Sequence, residues 1–266
     1  YRDKIGRNGL RMGDITTSDF KNKYEKIKTE HLKLIEFLGF TDYDMPTLEA
    51  EFFEACNYLK QFNFANTEYI VNEWLPSKKI LAEGAQGSML DIDFGSYPYV
   101  TSSNTISGGA CNGLGFAPAH VGQVYGIFKA YCTRVGSGPF PTELLDEVGE
   151  NLRQKGNEFG ATTGRPRRCG WLDLVALKYA IMLSGVNYLI MMKSDVLSEF
   201  DEVKVCTAYR VNGENTTQVP YDLCNETVEP IYQTFKGWTE DLTICRKKEE
   251  LPTNFLNYIL FLEKEL

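Results

Sequence analysis

The residues with the clearest chemical potential form one run, Gly160-Ala161-Thr162-Thr163-Gly164-Arg165-Pro166-Arg167-Arg168. Two hydroxyls, a glycine and three arginines fall within nine positions of a chain whose formal net charge is −8. Pro166 fixes its own φ and keeps Arg165 out of the helical region. An extended backbone throws Arg165 and Arg167 to the same side, because side chains alternate along such a segment. Gly164 permits a turn that a side chain would block. The expected product is a loop carrying two guanidinium forks beside two hydroxyls, suited to a carboxylate or a phosphate. The alternative is a solvated basic turn close to a helix start.

Other candidate chemistry is sparser. Glycine-rich stretches recur at Glu83-Gly84-Ala85-Gln86-Gly87, at Ser107 to Gly115 and at Gly136-Ser137-Gly138, but none carries the Gly-Lys-Ser/Thr ending of a phosphate loop. Asp91 and Asp93 could be read as metal ligands. The following Phe94 and Gly95 break the calcium-loop spacing, so structural hydrogen bonding is expected of both. His31 falls on a helical stripe and reads as a packed or edge histidine. Arg7 and Arg11, in a glycine-punctuated opening, are either anion contacts or solvated surface.

Composition sets the frame around these residues. With 266 residues, 43% hydrophobic and 24% charged, the chain can bury a large core as one domain or two unequal ones. A sequence pI near 5.0 argues against general nucleic-acid binding. No apolar run approaches the ~18 residues of a membrane span. Seven cysteines without a Cys-x-x-Cys pair indicate neither a disulfide framework nor zinc, and a reducing, cytoplasmic setting is expected. The start at Tyr1, without methionine, and a final helix running to Leu266 lead us to expect a piece of something longer.

The elements that must position the arginine run follow from periodicity. Residues 18–40 read as a helix capped by Ser18 and ended by Gly39, with Tyr24, Ile27, Leu34, Ile35 and Leu38 on one stripe. Further helices are expected from Thr47 to about Phe62 and over 68–74. These define a loop and helical subdomain over 1–76, followed by an α/β part over 77–266. There, short strands are expected at 80–82, 130–135, 186–192 and 203–211. The third reads as buried on both faces. Helices are expected over 121–128, from Thr142 to Leu152, over 172–183 and over 254–266, and the stretch 216–251 reads as irregular. Strands that empty into polar or glycine loops, with helices between them, argue a mostly parallel central sheet with flanking helices. Ligands in such sheets bind at the carboxyl ends of the strands.

Several segments, in one order, resemble the adenylosuccinate synthetase family. They are Arg7-Asn8-Gly9-Leu10-Arg11-Met12-Gly13-Asp14, Glu83 to Gly87, Tyr97-Pro98-Tyr99-Val100-Thr101-Ser102-Ser103-Asn104-Thr105, Thr133 to Leu144, and Gly156 to Arg168. The resemblance runs nearly end to end. It implies a P-loop-NTPase-like α/β fold and the GTP-dependent ligation of IMP with L-aspartate through 6-phosphoryl-IMP, with Mg2+ bridging the GTP phosphates and a homodimer as the working unit. Two departures stand beside it. The family's Gly-Asp-Glu-Gly-Lys-Gly-Lys loop with its catalytic aspartate, and the histidine that follows, do not occur in these residues, and the family's Gly-Pro-x-Arg segment is missing too. No catalytic residue and no metal ligand is therefore expected within this chain.

Position by position, the resemblance implies binding roles. Gln86 contacts IMP, Thr101 its 5′-phosphate, Val135 and Gly136 its ribose, and Arg7 the phosphate in a partner's site. Thr162, Thr163, Arg165 and Arg167 bind the substrate aspartate, with Arg165 also meeting the IMP ribose and Arg167 lying near GTP. Lys193 and Asp195 form the guanine site, where Met192 stands in place of the asparagine of the Asn-Lys-x-Asp motif. A noncatalytic nucleotide-binding or dimerisation module is the rival reading. The coding sequence upstream of Tyr1 discriminates the two.

Overall fold

The computed structural model describes residues 1–160 and 164–266. The chain divides into two compact units, Tyr1–Glu73 and Trp74–Leu266.

The first unit is helical: α1 (Arg2–Gly6), α2 (Phe20–Phe37), α3 (Met45–Leu59) and most of α4 (Thr67–Trp74), with a 3-10 turn at Met12–Thr16. The aromatic stripe explains how α2 and α3 meet. Tyr24 stacks on Phe52 at 5.1 Å between ring centroids and meets Phe53 edge-on at 4.9 Å, an arrangement that adds to simple area burial. Ile15, Phe20 and Cys56 form the small buried core. The α3 N-terminus is satisfied by Asp44, whose carboxylate accepts from the Thr47 N–H at 3.3 Å and from its hydroxyl at 2.6 Å. Ser18, expected to cap α2, does not do so: the N-cap position belongs to Asp19, which makes no side-chain capping bond. His31 is an edge histidine, its Nε2 3.1 Å from Asp3 Oδ1.

The second unit carries α5 (Gly108–Leu114), β1 (Tyr125–Lys129), β2 (Cys132–Arg134), α6 (Glu147–Lys155), β3 (Arg168–Gly170), β4 (Leu172–Asp173), α7 (Leu174–Ser184), β5 (Tyr188–Met192), β6 (Glu202–Val211), β7 (Glu214–Thr216), β8 (Val228–Lys236) and α8 (Thr253–Glu265). Its character is α/β. β1 pairs parallel with β5, and β4 with β6. Antiparallel pairings join β2 to β3, and β7 and β8 to β6. Tyr131, Leu152, Cys169, Leu174, Leu197, Val203, Val205 and Tyr258 are fully or almost fully buried in one core. Trp238 packs on Phe255 at 5.0 Å and ties α8 to it.

Several local expectations change. Residues 121–128 do not form a helix: Tyr125 onward is β1, in register with Tyr188 to Met192. Gly126 allows the approach, since a Cβ there would press on the Leu189 and Val186 side chains at 3.0 Å. Residues 80–82 form no strand, and Leu81 is 90% exposed. β5 is not buried on both faces: Leu189 and Met191 are partly covered, while Tyr188, Ile190 and Met192 are exposed. Thr142 is a buried loop residue, and α6 begins after Asp146, whose carboxylate accepts from the Val148 and Gly149 N–H groups. Leu172 belongs to β4 and α7 starts after its cap, Asp173. The polar stretch 216–251 contains β8, a nine-residue strand. The Asn212-Gly213 turn is as expected, with φ of 51° and 91° closing the β6–β7 hairpin.

Candidate functional site

The arginine run is built against the strand-like segment that precedes it. Gly160 N–H donates to Arg165 O at 2.9 Å, and Arg167 N–H donates to Glu158 O at 2.9 Å, bracketing an antiparallel bridge between Phe159 and Pro166. Gly164 turns the chain at φ 64°, the conformation for which glycine was expected. Arg153 Nε braces the outgoing strand by donating to Arg167 O at 2.7 Å. Thr162 and Thr163 lie outside the described residues.

Glu158 is the centre of this arrangement. Its side chain is fully buried, yet its carboxylate oxygens receive Lys129 Nζ at 2.8 Å, Tyr131 Oη at 2.6 Å, Arg167 Nη1 at 2.8 Å and Lys193 Nζ at 3.1 Å. Burial opposes ionisation. The hydrogen bonds from Lys129, Tyr131 and Lys193 outweigh it and hold the Glu158 pKa down to about 2. Three cations around one carboxylate leave an excess of positive charge, which favours an anionic ligand. Arg167 Nε is buried without an acceptor among the described residues. Supplying one would relieve a cost of about 1–3 kcal/mol.

Lys193 ends β5 with φ 60°, in the left-handed region, and Asp195 follows in a short 3-10 turn. The Lys193 ammonium is turned inward, bonded to Glu158 and to Gly156 O. Lys193 is half-buried, whereas Asp195 is exposed.

A second network holds the glycine loop after β2. Arg168 makes a two-pronged contact with Glu143, Nε at 2.7 Å to Oε1 and Nη2 to Oε2, and its Nη1 donates to Gly136 O at 3.1 Å and Gly138 O at 2.9 Å. Arg134 donates to Ser137 O at 3.0 Å, to Ser96 Oγ at 3.2 Å and to Tyr99 O at 3.0 Å. Burial and the neighbouring Arg168 charge both lower the Arg134 pKa. Val135, exposed, and Gly136, at φ 78°, are thereby tied to the loop carrying Thr101. Thr101 N–H donates to Leu90 O at 2.8 Å, and Thr105 Oγ1 donates to Gly87 O at 2.9 Å, beside Gln86. Asp91 organises this loop as a structural acceptor, taking the N–H groups of Asp93, Phe94, Thr105 and Ile106. Asp93 accepts from Asn104 at 2.7 Å.

The structure therefore collects Gln86, Thr101, Val135 and Gly136 in one braced set of loops, and Arg167 with Lys193 on one carboxylate. Arg165 follows Gly164 in the exposed turn. Arg7 belongs to the first unit, where it closes α1 at φ 61°. Glu158, Lys129, Tyr131, Arg134 and the Arg168–Glu143 pair were not singled out from sequence. The available signal for Glu158 was an acid inside an otherwise basic segment. None of the seven cysteines is disulfide-bonded, and burial pushes the Cys132 and Cys169 thiols up to about 12 and about 11, away from nucleophilic use. Among the described residues no cluster of His, Cys, Asp or Glu could hold a metal ion, and no helix is long and apolar enough to cross a membrane.

Fold and site define an α/β protein that gathers guanidinium and ammonium groups around a single buried carboxylate, next to glycine loops pinned by arginine. The family model for adenylosuccinate synthetase matches residues 1–266. Adenylosuccinate synthetases of Cytophaga hutchinsonii and Parabacteroides distasonis are each 56% identical to it, over all of this chain and 62% of their own length. The structure of fully ligated adenylosuccinate synthetase from Plasmodium falciparum superposes with a TM-score of 0.91 at 40% identity, over all of this chain and 63% of that one. The chain belongs to the adenylosuccinate synthetase family, and it spans less than two thirds of the length of these relatives.

Proposed function

We propose that this chain supplies the aspartate clamp, most of the IMP pocket and part of the guanine site of a GTP-dependent ligase that joins IMP and L-aspartate to give adenylosuccinate. The observation that carries the reading is the meeting of Arg167 and Lys193 on Glu158. It places an arginine suited to a carboxylate or phosphate beside a lysine whose stem suits a base. In this reading the reaction passes through 6-phosphoryl-IMP, because phosphorylation of the 6-oxo group turns it into a leaving group that the aspartate amine can displace.

The roles follow from side-chain chemistry. Arg165 and Arg167, with Thr162 and Thr163, meet the aspartate carboxylates, and Arg167 also adds charge toward GTP. Gln86 offers both a donor and an acceptor to IMP, and Thr101 a hydroxyl to its phosphate. Val135 and Gly136 present backbone to the ribose, which the Arg168 and Arg134 contacts hold in place. Asp195 accepts from the two N–H donors on one edge of guanine. Arg7 acts on a neighbouring subunit's IMP phosphate in a homodimer. Magnesium would neutralise the GTP phosphates; the described residues offer no cluster to hold it, so no step here is assigned to it.

The direct test is to express the protein from its full coding sequence and measure adenylosuccinate formation from IMP, GTP, aspartate and magnesium. Product dependent on all three substrates is expected, and none from the 266 residues alone, whose described residues include no cluster that could hold a metal ion. Failure of the full protein to form product would remove the reading.

A further inference from the structure

We propose that Glu158 is a positioning residue that couples the aspartate-side arginine loop to the guanine-side lysine loop, so that occupancy of one tightens the other. The proposal rests on the binding roles given above for Arg167 and Lys193, and adds to them a residue that meets no substrate itself.

The geometry points to coupling because the carboxylate is crowded. Oε1 takes Tyr131 Oη at 2.6 Å, Lys129 Nζ at 2.8 Å and Lys193 Nζ at 3.1 Å, and Oε2 takes Lys129 Nζ and Arg167 Nη1, each at 2.8 Å. A carboxylate has about four acceptor sites, so these donors compete. They come from four places: the end of β1, the link between β1 and β2, the segment entering β3 and the residue after β5. The side chain is fully buried, and its backbone is fixed by Arg167 N–H donating to Glu158 O at 2.9 Å, which limits how far the carboxylate can turn to favour one of them. A ligand carboxylate that draws the Arg167 fork outward leaves the charge of Glu158 to Lys129 and Lys193. The Lys193 ammonium is then held more firmly, and its stem is fixed for the base. By linkage the effect is reciprocal: a base packed on the pinned stem keeps Lys193 on Oε1 and favours the state in which Arg167 serves the ligand. Lys129 and Tyr131 keep the carboxylate ionised and aimed in both states.

The experiment uses the protein expressed from its full coding sequence, with IMP and magnesium saturating. GDP affinity is measured by calorimetry with and without aspartate, for wild type, Glu158→Gln and Glu158→Asp. Aspartate should tighten GDP binding in wild type by about fivefold or more. In Glu158→Gln the ratio should fall to about one while IMP affinity is unchanged, and Glu158→Asp should restore part of it. Coupling that persists in Glu158→Gln overturns the proposal. So does a loss of both affinities with the ratio intact, which is the signature of a purely structural role. Should Glu158→Gln fail to fold, Tyr131→Phe removes one donor from Oε1 and should shift the ratio without moving IMP affinity; an unmoved ratio again overturns it. Wild type that binds no GDP sinks the guanine-site reading and the proposal together, whereas wild type that binds GDP without coupling sinks the proposal alone.

Discussion

Arg134 and Arg168 face each other as register partners across the β2–β3 pair, and both reach around the same glycine loop. Arg134 takes Ser137 O, and Arg168 takes Gly136 O and Gly138 O. Two like charges directly opposite would repel. Glu143 resolves this by taking Arg168 in a two-pronged contact.

Removing that counter-charge should loosen the loop. Glu143→Gln weakens a charge-assisted pair worth about 1.5–3 kcal/mol and leaves two guanidiniums in conflict. The expected outcome is a rise in the KM for IMP of roughly tenfold, with the KM for aspartate little changed. Equal rises for both substrates would argue that Glu143 supports the fold at large.

Arg165→Leu should act on aspartate. Losing one fork to a carboxylate costs about 1.5–3 kcal/mol, or roughly ten- to a hundredfold in aspartate kcat/KM. Steady-state kinetics with aspartate varied is the measurement, and unchanged constants would withdraw the clamp assignment.

Base selectivity should reside in Asp195. Asp195→Asn replaces an acceptor pair with one acceptor and one donor, which mismatches guanine's two donors and suits xanthine. XTP should compete better with GTP in that variant. If neither nucleotide's use changes, Asp195 does not read the base.

The depressed pKa of Glu158 sets an acid limit. Its folded value of about 2 lies below its ordinary 4.5, so its contribution is complete above the unfolded pKa and is lost as pH falls from about 4.5 toward 2. Denaturant midpoints measured across that window should drop in wild type. In Glu158→Gln the unfolding free energy should start lower, by about 3–5 kcal/mol for an uncompensated buried cluster, and the midpoints should fall less steeply.

A dimer should reveal itself by complementation. Mixing an Arg7→Leu subunit with one carrying Gln86→Ala should restore activity, because one hybrid site then keeps both residues. No rescue, with heterodimers shown to form, would place Arg7 in its own subunit's chemistry.

Much of the fold could be read from pattern. The α2 and α3 stripes, the β6–β7 turn at Asn212-Gly213 and the end of α7 at Gly185 each carry a local physical signature. β1 is not legible because Val121 to Phe128, interrupted by Gly122, Gln123 and Gly126, fits neither period cleanly, and only its partner β5 decides between helix and strand. β8 was missed because Glu229, Pro230 and Gln233 interrupt its alternation, which β6 overrides by pairing along its whole length. The turn at Gly164 and the extended passage through Pro166 were legible from residue type. The role of Glu158 was not, since its donors Lys129, Tyr131 and Lys193 converge only after β1 and β5 pair. Local sequence says which residues can carry charge, but not which of them share a counter-ion.

Gln86 has a consequence of another kind. It occupies φ 62°, on an exposed turn between Gly84 and Gly87, where glycine would be less strained. Holding a side chain there costs roughly 1 kcal/mol. Gln86→Gly should therefore raise the melting temperature while abolishing nucleotide recognition at that position. With Gln86 read as an IMP contact, stability and activity would pull on the same residue in opposite directions, so that selection for a hardier protein and selection for a working one would choose different amino acids.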